Sequence, residues 1–245
     1  CLALKADGSI IAWGGDTDGQ VSNTPSGNDF VQVSGSLHCM ALRTDGSIVA
    51  WGNDAFGQVS NAPVTMDFVK VVATGYHSIA ITNDGSLVSW GADNFGQVSS
   101  TPAGNDFVQV SGGKSFSVAQ KSNGSLVAWG SDTSGQVSNT PIGNDFIQVA
   151  GGAEHALALK SDGSIVGWGN DAYGQTTNIP TGNNFAQVSG GMFFSVTLDN
   201  TGSSPTLSIP FLIAGQTNRV EILNATPNHF CHFAWSVHGG GPITT

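Results

Sequence analysis

Residues 157–175 read Leu-Ala-Leu-Lys-Ser-Asp-Gly-Ser-Ile-Val-Gly-Trp-Gly-Asn-Asp-Ala-Tyr-Gly-Gln. Two short apolar segments flank Asp162-Gly163, and this dipeptide is preferred in tight β-hairpin turns because both residues tolerate positive φ. Gly, Pro or Asn-Gly interrupts every window in which apolar residues could follow the 3.6-residue period of a helix. The stretch therefore predicts a β-hairpin followed by a turn.

The same pattern recurs five times along the 245 residues. The Trp-Gly pairs are spaced by 38, 39, 39 and 39 residues and begin at Trp13, Trp51, Trp90, Trp129 and Trp168. An Asp-Gly-Ser turn (Asn-Gly-Ser in one copy), a Gly-Gln pair, a Pro and a Phe keep the same phase in every copy. Five copies in register indicate an internal repeat.

Each copy contains three short strand-like segments and a weaker fourth. In the copy that contains Trp129 these are residues 107–111, 117–121 and 126–130, with the weaker segment around Gln136-Val-Ser. A repeat of about 40 residues with four short strands is typical of a β-propeller blade, whose sheets stack around an axis. Large and small side chains alternate in Leu157-Ala-Leu, which suits a sheet packed on both faces. The sequence predicts an all-β protein, with a β-propeller of four-stranded blades over residues 1–204.

Composition excludes several partners. Asp and Glu number 17 against 7 Lys and Arg, so the net charge is −10 and no basic surface is present to neutralise phosphates. No apolar run approaches the roughly 20 residues that span a bilayer. Six Trp and 13 Phe argue against disorder. We expect no nucleic acid partner and no membrane insertion.

The repeat resembles that of the regulator of chromosome condensation family, in its short bacterial form. The resemblance spans residues 1 to about 202, and it implies a propeller that is typically seven-bladed. Here the chain begins at a second strand, and Ser195–Asp199 starts a sixth copy. Either the ring closes with five blades, or upstream blades are absent and the blades form an open arc. The arc is favoured, because a closed ring leaves no place for Ser195–Asp199.

The repeat stops at Pro205. Residues 205–245 contain three strand-like segments and are similar to the opening of a β-sandwich module appended to secreted bacterial proteins. We expect a β-rich C-terminal module that is truncated in this chain. The resemblance implies a secreted or cell-surface bacterial protein, with its leader outside this chain.

Two segments vary between the copies: the connection between the first and second strands, and the turn after Trp-Gly. In an up-and-down sheet both emerge at the same end. The residues predicted to meet there and bind a partner are Asp18, Phe56, Tyr76, His77, Phe95, Lys114, Glu154, Tyr173 and Phe193. Aromatic side chains on loops held by a rigid scaffold indicate a binding surface. The alternative is that these side chains plug the channel or staple adjacent blades.

No catalytic or metal-binding pattern is present in the sequence. His38, His77 and His155 are repeat-equivalent, so adjacent ones lie about 10 Å apart, too far to share an ion with bonds of ~2 Å. One Asp per post-Trp-Gly turn falls short of the roughly six to eight oxygens around calcium, so these Asp are expected to cap turns. No nucleophile elbow, P-loop or paired Glu occurs. We expect no metal, no cofactor and no catalysis.

These observations predict a non-catalytic recognition scaffold that binds a protein or a glycan through its variable loops. The resemblance implies a narrower alternative, an enzyme inhibitor similar to the propeller-type β-lactamase inhibitor proteins, with Phe56, Tyr76, Phe95 and Tyr173 at comparable loop positions. A hydrolase or lyase with a site in the channel is a third possibility. Guanine-nucleotide exchange, the family's eukaryotic role, is disfavoured by the acidic balance and the absence of a basic arm.

Overall fold

The computed structural model describes residues 1–199, and within them every regular element is a β-strand. The strands are β1 (Leu2–Leu4), β2 (Ile10–Ala12), β3 (Phe30–Gly35), β4 (His38–Arg43), β5 (Ile48–Gly52), β6 (Phe68–Ala73), β7 (His77–Thr82), β8 (Leu87–Gly91), β9 (Phe107–Gly112), β10 (Phe116–Lys121), β11 (Leu126–Gly130), β12 (Phe146–Gly151), β13 (His155–Lys160), β14 (Ile165–Gly169), β15 (Phe185–Gly190) and β16 (Ser195–Asp199). In this part of the chain no helix is long and apolar enough to cross a membrane. The all-β prediction is confirmed, and the predicted C-terminal module at 205–245 lies outside the described residues.

The strands form six antiparallel sheets that follow one another along the chain. Four sheets have three strands, in the orders β3-β4-β5, β6-β7-β8, β9-β10-β11 and β12-β13-β14. The first and last described sheets pair β1 with β2 and β15 with β16. In each three-stranded sheet the second strand lies in the middle, so both of its edges are hydrogen-bonded. Each sheet is one blade.

The fourth strand predicted around Gln136 does not form. The carboxylate Oδ1 of Asp132 accepts hydrogen bonds from the backbone N–H groups of Val137 and Ser138, at 2.8 and 2.9 Å. Those N–H groups are therefore not available to a neighbouring strand, and the segment is a turn. The same capping occurs at Asp16, Asp54, Asp93 and Asp171. The predicted capping role is confirmed, and the four-stranded blade is corrected to three strands.

The Asp-Gly-Ser turns connect the second and third strands as predicted, but with a longer connection than a two-residue turn. In the Asn123 copy the N–H of Gly124 donates to the carbonyl of Lys121 at 2.8 Å, and Gly124 has φ +82°. The Oδ1 atom of Asn123 accepts from the N–H of Ser125 at 2.9 Å. This is the three-residue hairpin connection in which only the last residue needs positive φ, which is why Gly occupies it in every copy.

Consecutive blades stack in chain order, and their first strands contact one another. The first strands therefore lie nearest the axis of the stack. Gln32 bridges two blades there, because its Nε2 donates to the carbonyl of Val71 at 2.9 Å and its Oε1 accepts from the N–H of Val71 at 3.1 Å. Gln148 makes the same pair of bonds with Val188. Apolar side chains fill the space between sheets, as where Met40 packs with Val71.

Four of the repeated Trp side chains are buried and tie each blade to the preceding repeat. Each indole N–H donates to the main-chain carbonyl of the Gln in the Gly-Gln pair of the preceding repeat, at 2.9–3.0 Å. The acceptors are Gln20, Gln58, Gln97 and Gln136. Trp13, in the first sheet, is instead 51% exposed.

Candidate partner-binding surface

The two variable segments meet at one end of each of the four three-stranded blades, as predicted. The residue after Trp-Gly donates its backbone N–H to the carbonyl of the loop between the first and second strands. Examples are Ala92 to Tyr76 at 3.0 Å, Ser131 to Ser115 at 2.8 Å and Asn170 to Glu154 at 2.8 Å. We name this end of the blades the loop end, and the opposite end, with the Asp-Gly-Ser turns, the hairpin end.

The turns after Trp-Gly share one internal support, although their outward residue varies. The side chains of Gln58 and Gln97 are buried, and their Oε1 atoms accept hydrogen bonds from the N–H groups of Phe56 and Phe95, both at 2.7 Å. Gln175 holds the N–H of Tyr173 in the same way at 2.8 Å. Because the turn is held from inside, the outward side chain can change without altering the backbone.

The predicted aromatic residues lie together at the blade junctions. The rings of Phe56 and Tyr76 are 5.6 Å apart with an interplanar angle of 65°, and those of Tyr173 and Phe193 are 5.2 Å apart at 58°. In each pair one ring comes from a turn and the other from the loop of the next blade. Phe95 is 53% exposed, and the next blade carries Ser115 at the position that Tyr76 has opposite Phe56.

We name Phe56, Tyr76, Phe95, Tyr173 and Phe193 the aromatic surface. The paired rings lie across the junctions between adjacent blades, and Phe56, Tyr173 and Phe193 remain 44–52% exposed. A pair held across a junction is preorganised, so a partner would not bear the entropy cost of ordering it.

The predicted charged residues also lie at the loop end. The ammonium of Lys114 is 5.7 Å from the centroid of the Tyr76 ring. The carboxylate of Glu154 accepts a hydrogen bond from the side-chain amide of Asn170 at 3.4 Å. Asp18 is exposed and occupies the turn position that Phe56 has in the next repeat. The structure therefore brings Asp18, Lys114 and Glu154 to the same end as the aromatic surface.

His77 is the exception, and its assignment to the binding surface is corrected. It is fully buried between blades, where its Nε2 lies 2.7 Å from the hydroxyl of Ser117. His38 and His155 make the same contact with Ser78 and Ser195, at 2.7 and 3.0 Å. Burial lowers the pKa of His77 to about 3 and those of His38 and His155 to about 4. These imidazoles are neutral structural groups.

Sequence reasoning missed the pairing rule behind this correction. Phe116 replaces His in the fourth repeat, and the residue that faces it from the next blade is Ala156 instead of Ser. Phe116 and Ala156 belong to one buried apolar cluster. The polar His–Ser pair is thus replaced as a unit by the apolar Phe116–Ala156 pair. The sequence shows this as two matched substitutions in successive repeats.

The described residues give no sign of a reaction centre. No group of three His, Cys, Asp or Glu side chains within residues 1–199 could hold a metal ion. A shallow groove of about 340 Å³ beside Val127 and Ile142 has no titratable side chain in its lining. A second, smaller cavity beside Leu157 and Val188 also has none.

Comparison with known proteins agrees with the fold. The family model described as regulator of chromosome condensation (RCC1) repeat matches residues 33–58, 68–97, 107–136 and 146–175. No curated protein sequence matches the chain.

Solved structures share the architecture at low sequence identity. The ectodomain of the receptor kinase CR4 from Physcomitrella patens is 22% identical, with a TM-score of 0.71, over 83% of this chain and 58% of that one. Human WBSCR16 is 21% identical, with a TM-score of 0.58, over 74% of this chain and 61% of that one. Prp20p of Saccharomyces cerevisiae is 22% identical, with a TM-score of 0.56, over 69% and 55%. The chain thus spans less than two thirds of each of these three proteins.

Proposed function

We propose that this chain, which is a regulator of chromosome condensation repeat protein, is a non-catalytic recognition scaffold that binds a protein through the aromatic surface. The observation that carries the proposal is the exposure of aromatic rings on turns whose backbone is fixed from inside by buried Gln side chains. Exposed aromatic side chains in rigid positions are the residues that dominate protein interfaces, because they bury a large area at low entropy cost.

Ring geometry favours a protein over a glycan. A sugar ring stacks on a flat aromatic face, and a glycan chain is best met by rings that lie in similar planes. The rings of Phe56 and Tyr76 are inclined at 65°, and those of Tyr173 and Phe193 at 58°, so each pair offers an edge beside a face. Such an uneven surface suits the side chains of a protein partner, which differ in shape and can insert between the rings or pack against them.

Proteins of the same fold bind other proteins. The structure of Prp20p is described together with its binding properties to Gsp1p and histones, and another structure shows Kap60 bound to yeast RCC1. An enzyme inhibitor, the narrower alternative from the sequence, is one form of protein recognition and would use the same surface. A secreted or cell-surface location is part of this proposal and rests on the resemblance of residues 205–245.

No observation favours the hydrolase or lyase alternative. The three buried His are engaged in blade contacts, and the post-Trp-Gly Asp residues cap turns. Within residues 1–199, neither the groove beside Val127 nor the cavity beside Leu157 brings a titratable group to its lining.

Capture of partners from a cell extract tests the proposal with two triple variants. The first carries Phe56→Ala, Phe95→Ala and Tyr173→Ala. The second, a matched control at the hairpin end, carries Val64→Ala, Met66→Ala and Ile142→Ala, three apolar side chains that are 66–102% exposed. We expect the first variant to lose any specific partner more than about tenfold, because aromatic hot spots dominate interfaces, and the control to retain it.

Thermal melting is the companion measurement. Both variants should melt close to the original protein, because truncation of exposed side chains changes stability little. A partner that stays with the first variant, or leaves with the control, contradicts the proposal. Unfolding of the first variant would instead assign the aromatic rings a purely structural role.

A further inference from the structure

The loop end is acidic within residues 1–199. It carries one side-chain ammonium, that of Lys114, and seven carboxylates. The carboxylates belong to Asp16, Asp18, Asp54, Asp93, Asp132, Glu154 and Asp171. The three ion pairs found in this part of the chain all lie at the hairpin end, between Arg43 and Asp29, Lys121 and Asp106, and Lys160 and Asp145. The carboxylates at the loop end therefore have no comparable neutralisation.

The hairpin end shows what an aromatic ring beside a carboxylate binds in this fold. The guanidinium of Arg43 lies 4.9 Å from the ring centroid of Phe30 and 2.7 Å from the carboxylate of Asp29. Lys121 lies 5.3 Å from the Phe107 ring and 3.3 Å from Asp106.

Lys160 repeats the arrangement, 5.5 Å from the Phe146 ring and 3.2 Å from Asp145. Three times, a cation rests on an aromatic face and pairs with the carboxylate one residue before that ring. Attraction to the ring quadrupole and to the carboxylate acts together there.

Two turns of the loop end also contain both a carboxylate and an exposed aromatic residue. Asp54 precedes Phe56 by two residues in one turn, and Asp93 precedes Phe95 in the next. The carboxylates are held in place, since Oδ1 of Asp54 accepts from two backbone N–H groups at 2.8 and 3.0 Å. Hydrogen bonds from the backbone N–H groups of Ser60 and Ser99 lower the pKa of Asp54 and Asp93, so both remain ionised. Among the described residues no cation lies over the rings of Phe56 and Phe95.

We propose that the partner presents a basic surface, whose Arg or Lys side chains lie on the rings of Phe56 and Phe95 and pair with the carboxylates of the same turns, those of Asp54 and Asp93. This inference rests on the proposed function and specifies its partner. Arg suits the place best, because its planar guanidinium stacks on an aromatic ring while its N–H groups meet a carboxylate. Seven fixed negative charges at one end would also steer a basic partner toward it.

Selection of binders from a random peptide library displayed on phage tests this inference while the natural partner is unidentified. Selected peptides are measured against two charge variants that each make the chain less negative by three units. The loop-end variant carries Asp93→Asn, Asp132→Asn and Glu154→Gln. The hairpin-end control carries Asp45→Asn, Asp84→Asn and Asp162→Asn, and the fourth repeat shows that Asn123 supports the same turn.

Some selected peptides will require the aromatic surface for binding. We expect the sequences of these peptides to be rich in Arg and Lys. Their affinity should fall about tenfold on the loop-end variant, with a weaker dependence on salt, and should stay within about twofold on the control. Neutral or acidic peptides, or an equal loss on the two variants, would overturn the inference.

The aromatic triple variant distinguishes failure of the basic partner from failure of the proposed function. Peptides that lose binding to that variant but not to the loop-end charge variant would overturn the basic partner and leave the proposed function standing. Peptides that bind the aromatic triple variant as well as the original protein would overturn the proposed function itself.

Discussion

At the scale of single residues, each blade junction accepts either two polar side chains or two apolar ones. His77 faces Ser117 at 2.7 Å, whereas Phe116 faces Ala156 in an apolar cluster. A buried donor or acceptor without a partner loses its hydration and gains nothing in return. The side chain of one repeat therefore restricts the residue that fits in the next.

A double-mutant cycle tests this restriction. Phe116→His should lower the free energy of unfolding by about 1–3 kcal/mol, because the new imidazole meets the methyl group of Ala156 and its Nε2 has no partner. Adding Ala156→Ser should recover most of the loss. Urea denaturation of the two single variants and the double variant gives the coupling energy. Simple additivity of the two changes would contradict the pairing rule.

Burial of the repeated Trp gives a second prediction at this scale. Trp129 is buried, and its indole N–H donates to the carbonyl of Gln97 at 2.9 Å. Trp129→Phe should lower the free energy of unfolding by about 1–3 kcal/mol, because the Gln97 carbonyl loses its hydrogen-bond donor. Trp13→Phe is the matched control, and its effect should stay within about 0.5 kcal/mol because Trp13 is half exposed. Equal losses of stability in denaturant would show that something covers Trp13.

At the scale of elements, the sequence predicted what depends on local turn chemistry and missed what depends on the neighbouring blade. The hairpins around Asp-Gly-Ser, the strand positions and the shared end of the variable loops are confirmed. The fourth strand was wrong because the Asp132 carboxylate takes the N–H groups that a strand would offer. His77 was placed on the surface because its contact with Ser117 crosses a junction, which one repeat alone does not reveal.

The buried imidazoles give the blade stack an acid sensitivity. In the folded protein the pKa of His38 and that of His155 are about 4, and the ordinary value is 6.5, because burial disfavours the charged form. The unfolded chain therefore binds more protons between these values. Stability from this source is complete above pH 6.5 and is lost as the pH falls from 6.5 to about 4.

Exchange of one polar junction for an apolar one should reduce this loss. The variant His155→Phe with Ser195→Ala copies the Phe116 and Ala156 pair, and its melting temperature should fall less between pH 6.5 and 4 than that of the original protein. Melting curves over this pH range give the comparison. Asp162→Asn is a control, since hydrogen bonds from Ser164 lower the pKa of that carboxylate, so its contribution to stability changes with pH only below its ordinary value of 3.8. Parallel pH profiles for the His155 variant and the original protein would contradict this account.

At the scale of the whole molecule, the stacked blades separate two tasks. Gln, Trp and His bonds between blades are repeated along the stack and fix its geometry, while the outward turn residues at the loop end vary. Aromatic pairs bridge two junctions there, and acidic turns surround them. The result is a rigid array whose loop end combines exposed aromatic side chains with negative charge. Both features suit the recognition surface that we propose.

Site-specific photocrosslinking tests the central claim most directly. A photoreactive phenylalanine analogue is placed at position 95 in the aromatic surface or, as a control, at position 142 at the hairpin end, and a captured partner is irradiated in complex with each protein. We predict a covalent adduct with the partner from position 95 and none from position 142. An adduct from position 142 alone, with the partner still bound, would contradict recognition through the loop end.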